Sequence, residues 1–62
     1  MTLQQFIANN RADLDTCILR ALNRGREKYP IERDRLNDSE RRQWVLNDEG
    51  LYNWARSEGV RI

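Results

Sequence analysis

The chain has no histidine among its 62 residues, and only one cysteine, one proline and three glycines. Without histidine it lacks the side chain that most often serves as general acid, general base or neutral metal ligand near neutral pH. A lone cysteine, Cys17, builds no disulfide framework and has no histidine to activate it. Three scattered glycines make neither a phosphate-cradling loop nor a dinucleotide fingerprint. No apolar run approaches the roughly twenty residues that a membrane-spanning helix needs. No positive–apolar–small signal pattern opens the sequence, so the expected location is the cytoplasm. Strand-like alternation of polar and apolar residues is missing throughout.

An excess of one charge is missing too, with eleven basic against ten acidic residues and a net charge of +1. A dedicated nucleic-acid-binding domain usually shows a clear basic excess. The cations do concentrate between Arg20 and Arg42, as Arg20, Arg24, Arg26, Lys28, Arg33, Arg35, Arg41 and Arg42. Glu27, Glu32, Asp34, Asp38 and Glu40 are interleaved with them, a pattern that reads as a solvated, salt-bridged surface. The carboxylates form no acid–base pair: Asp13 and Asp15 are two apart and do not share a helix face. No calcium-loop spacing occurs. The chain is therefore read as non-enzymatic, with no cofactor and no metal.

What is present is helical. Thr2 with Gln5 fits a capping box and Met1 with Phe6 its hydrophobic staple, which predicts a helix over 3–9. Asn9-Asn10 then either breaks that helix, with Asn10 capping a new one, or lies within one continuous helix. Leu14, Cys17, Ile18, Ala21 and Leu22 recur at helical spacing, so a helix is expected over 11–24, stopped by Gly25. In this reading Cys17 is a small buried hydrophobe. Residues 26–37 read as a charged connection around Tyr29-Pro30, anchored by Ile31 and Leu36, of which part can be a short helical turn.

Asn37 or Asp38 can cap a third helix over 38–46, which ends in Trp44-Val45-Leu46. The closing segment carries its own punctuation. Asn47 is the expected cap, Leu46 and Leu51 the staple, and Asp48 and Glu49 complement the helix dipole. Leu51, Trp54 and Ala55 form the apolar stripe, Gly59 the stop, and Val60 folds back on the last turn. The expectation is one all-α domain over 1–62: a small bundle of three to four helices, 3–9, 11–24, 38–46 and 48–58. Its core would be Leu14, Ile18, Leu22, Trp44, Leu51 and Trp54. A chain this short stands near the lower limit for folding alone, so a partner or a second copy would help it.

Two functions fit. Trp44, Tyr52 and Trp54 lie within eleven residues, and Trp, Tyr and Arg dominate protein-binding hot spots. Tyr52 falls off the buried stripe, with Arg56 four residues on, so Tyr52, Arg56, Trp44, Arg41 and Arg42 are the candidate contacts to another protein or to a second copy. The alternative is nucleic acid, contacted by Arg24, Arg26, Lys28, Arg33 and Arg35 or by a helix–turn–helix over 38–58. Asp48 and Glu49 oppose it, because they would place carboxylates where a recognition helix meets phosphate.

The run from Arg42 to Ile62, RQWVLNDEGLYNWARSEGVRI, with the opening FIANNRADLD from Phe6 to Asp15, resembles short bacterial proteins carried on phages and other mobile elements. The resemblance covers the two ends of the chain. It implies a bacterial or phage-infected host setting, in which small proteins act by binding host machinery or DNA. It transfers no functional residue.

Overall fold

In the computed structural model, which describes all 62 residues, the chain is all-α. The helices are α1 (Leu3–Asn9), α2 (Arg11–Leu22), α3 (Asp38–Asn47) and α4 (Glu49–Ser57). A single 3-10 turn at Arg33–Arg35 interrupts the connection between α2 and α3. No strand occurs.

Local chemistry sets the boundaries. Thr2 closes the capping box with Gln5, its Oγ1 accepting from the Gln5 N–H at 3.1 Å while Gln5 Oε1 accepts from the Thr2 N–H at 2.8 Å. The chain does break at Asn10, but not by the expected cap. The Asn10 side chain turns back and donates to the Phe6 carbonyl at 3.0 Å, so it closes α1 and leaves the start of α2 without a side-chain cap. Asn37 caps α3, accepting from the Glu40 N–H at 2.9 Å.

Two helix ends differ from the sequence reading. α2 stops at Leu22, two residues early, because Asn23 leaves the helix to grip the connection. Its side chain donates to the Ile31 carbonyl at 3.0 Å and accepts from the Ile31 N–H at 2.6 Å. Gly25, with φ +82°, therefore serves the turn beyond the helix end. At the second junction Asp48, not Asn47, caps α4: its Oδ1 accepts from the Leu51 N–H at 3.0 Å, and Asn47 is the last residue of α3. Both residue types cap well, and the longer α3 decides between them. The shift also dissolves the Leu46 staple, since Leu46 stays exposed while Leu51 is buried.

The end of α4 agrees with expectation. Gly59 has φ +95°, and its N–H donates to Arg56 O at 3.0 Å while the Val60 N–H donates to Ala55 O at 3.1 Å. These are the two bonds of a Schellman motif, and Val60 is buried against the helix it closes.

α3 is the hub, the one helix with extensive backbone contact to the other three. The core is Phe6, Ile7, Leu14, Ile18, Leu36, Val45, Leu51, Ala55 and Val60. Phe6 meets Trp54 edge-to-face, ring centroids 4.9 Å apart, which ties α1 to α4. Leu22, Trp44 and Trp54, expected at its centre, instead lie half-buried at its margin. Four short helices enclose too little volume to surround two indoles.

Candidate functional site

The sequence-predicted contacts do not form one surface. Arg41 is the clearest correction, because it is an interior residue rather than a surface contact. Val45, four residues on, is fully buried, so the face that carries Val45 into the core also turns Arg41 inward. There Asp15 of α2 receives it, with Arg41 Nε donating to Oδ1 at 2.7 Å and Nη2 to Oδ2 at 3.1 Å. Nη1 donates to Asp38 Oδ1 at 2.9 Å, and Arg11 reaches the same oxygen at 3.3 Å. The hydrogen bond to Asp15 holds the Arg41 guanidinium above its ordinary pKa, against the opposing effect of burial, with Asp38 adding to the rise. This chain of four charges is structural: every buried polar side-chain atom has a partner within the fold.

That pair also explains the second correction. Asp15 is drawn inside, and α2 presents Leu14, Asp15 and Ile18 to the core with Leu19 and Leu22 beside them. Cys17 and Ala21 are thereby rotated to the exposed flank. Cys17 is a solvent-facing free thiol, not a core residue.

Tyr52 is half-buried and Arg56 exposed, off the Leu51–Ala55 stripe as their spacing requires. They satisfy each other locally: the Arg56 guanidinium lies 5.8 Å from the centre of the Tyr52 ring. The Tyr52 hydroxyl donates to the Ile62 carbonyl at 3.4 Å. Arg42 is exposed.

The interleaved charges of the connection do not pair with one another. The molecule has three ion pairs, Arg11–Asp38, Arg41–Asp15 and Arg41–Asp38. Arg24, Arg26, Lys28, Arg33 and Arg35 are exposed and take part in none of them. An irregular connection has no four-residue repeat to bring alternating charges together. Tyr29, at 85% exposure, stands among these cations.

What sequence reasoning missed is a groove. Cys17 and Ala21 of α2 form one wall, and Trp44, Asp48, Gly50, Leu51 and Trp54 of the α3–α4 corner form the other. It is open, about 330 Å3 in volume, and mainly apolar, with Asp48 its one charged residue. A second depression of about 290 Å3, bounded by Gln43, Trp44, Asn47 and Asp48, adjoins it across Trp44. Gly50 contributes no side chain and so keeps the floor low; a Cβ there would meet Asp48 Oδ1 at 3.3 Å. The available signal was the placement of two tryptophans on either side of a capped helix break. Cys17 and Asp48 both line the groove but no hydrogen bond joins them, and no cluster of metal-ligating side chains exists in the structure. Its chemistry is that of apolar contact. Known protein families, curated proteins and solved structures offer no match to this chain.

Proposed function

We propose that the chain is a small non-enzymatic protein that works by binding a protein partner, a different chain or a second copy of itself, through this groove. The observation that carries the reading is the pair of half-buried tryptophans, Trp44 and Trp54, facing Cys17 and Ala21 across open apolar space. Burying such surface is worth about 25 cal/mol per Å2, and aromatic anchors set in a desolvated pocket dominate binding energy. The resemblance of the two ends supports reading this activity as that of a bacterial or phage-infected cell. The test is affinity capture from a nuclease-treated bacterial lysate with wild type, Ala21→Glu, and Tyr52→Ala/Arg56→Ala. Ala21 is exposed, so the glutamate charges the groove without entering the core. Proteins retained by wild type and the Tyr52/Arg56 variant but lost with Ala21→Glu support the groove. A retained set indifferent to Ala21, from a chain that stays monomeric, refutes it.

A second reading rests on the unpaired cations around Tyr29. An exposed aromatic among basic groups is the arrangement that stacks on bases and neutralises phosphate. It requires binding of single-stranded DNA or RNA that weakens steeply with salt. A gel-shift series without a complex at low salt removes it.

A further inference from the structure

Resting on the groove reading, we infer that its occupant is a second copy of this chain, docked with the two α2 helices antiparallel about a twofold axis near Cys17. The argument begins with charge. Asp13 and Arg20 are exposed on the same side of α2 as Cys17, and neither takes part in an ion pair within the chain. In an antiparallel pair centred on residue 17, position 13 of one copy lies opposite position 21 of the other. Asp13 then neighbours both Ala21 and Arg20 of the second copy, and the twofold axis makes the contact twice. The same helix packed in parallel would set Asp13 beside Asp13 and Arg20 beside Arg20.

Size and shape agree with charge. Cys17 and Ala21 at the crossing are small enough for close helix approach, and the flanking tryptophans supply the area that small residues do not. A standard interface takes about 800 Å2 from each partner. That is roughly a sixth of the chain's 4724 Å2. The net charge of +1 gives two copies little mutual repulsion to overcome.

Sedimentation equilibrium from micromolar to millimolar chain, with Cys17 reduced, tests the inference, alongside cross-linking of Cys17 by a short bis-maleimide. Wild type should dimerise with concentration and cross-link through Cys17. Asp13→Arg alone and Arg20→Asp alone each oppose like charges twice and should weaken the dimer about tenfold or more. The double variant Asp13→Arg/Arg20→Asp restores both pairs and should recover most of that loss. Both substitutions are at exposed positions, and helical content by circular dichroism checks that the fold persists in all three variants. A monomer at millimolar concentration, single reversals without effect, or a double variant as weak as the singles would overturn the inference. If the chain is monomeric while capture from lysate still depends on Ala21, self-pairing alone falls. If capture is also indifferent to Ala21, the groove reading falls with it.

Discussion

Arg41 grips Asp15 with two hydrogen bonds, of 2.7 and 3.1 Å, across 26 residues of sequence and inside a core of nine apolar side chains. The Asp15 side chain is 1% exposed and that of Arg41 8%. Removing one member of such a pair strands the other charge out of water, which costs about 3–5 kcal/mol. Asp15→Ala or Arg41→Ala is therefore expected to unfold most of so small a domain at room temperature. The double variant Asp15→Leu/Arg41→Met should regain most of the loss, because no charge is left unpaired. Urea titrations of the four proteins check this; a double variant as unstable as the singles would show that the pair matters through shape, not charge.

The same pair fixes a pH dependence. A group whose pKa is raised on folding contributes stability that is complete below its unfolded-state value and fades as pH climbs through its folded-state value. For Arg41 both lie in the strongly alkaline range, since Asp15 shifts it upward from an already high value. The stability difference between wild type and Asp15→Leu/Arg41→Met, which leaves no unpaired charge behind, should accordingly stay constant from neutral to mildly alkaline pH. A difference that shrinks over that window contradicts the assignment.

Helix α4 tells the two capping residues apart. Asp48→Ala removes the acceptor for the Leu51 N–H and should cost about 1 kcal/mol. Asn47→Ala removes only two exposed bonds, from its side chain to the Gln43 carbonyl and to Gln43 Oε1, and should cost no more than about 0.5 kcal/mol. Thermal midpoints of the two variants give the comparison, and the reverse order would place the cap at Asn47.

Gly59→Ala tests the end of the same helix. The added methyl would meet nothing within 4 Å, so the whole effect is that of forcing a side chain to φ +95°. It should cost about 1–2 kcal/mol. No measurable loss in a denaturant titration would mean that the last turn ends without the left-handed residue.

Asn23 tests the clamp on the connection. Asn23→Ala leaves the Ile31 N–H without its acceptor at 2.6 Å. Hydrogen exchange at Ile31 should accelerate while exchange in α3 and α4 stays unchanged. Unaltered exchange at Ile31 would mean that the connection is held by other means.

How much of this was written in the sequence depends on the range of the interaction. The capping box at Thr2 and the Gly59–Val60 closure are decided within a few residues and read off directly, while the break at Asn10 and the cap at Asn37 were each one of two local alternatives that the sequence left open. Apolar periodicity failed where polarity and burial part company. On α2 it chose Cys17 and passed over Asp15, because nothing near Asp15 announces an arginine 26 residues away. Arg41 was equally hidden, one cation among eight in its stretch, and its inward direction follows from α3 packing that no local pattern encodes. The groove was illegible for the same reason. It exists only because Asp15 turns Cys17 and Ala21 outward opposite the α3–α4 corner.

The central claim, that this groove is where the molecule binds a second copy of itself, is tested most directly by amide and indole chemical shifts followed across a dilution series of the labelled protein. The account predicts concentration-dependent shifts confined to Cys17, Ala21, Trp44, Gly50, Leu51 and Trp54, including both indole N–H signals, together with Asp13 and Arg20 of α2. Shifts centred on Tyr52 and Arg56 or on the Arg24–Arg35 connection, or a spectrum unchanged up to millimolar concentration, would contradict it.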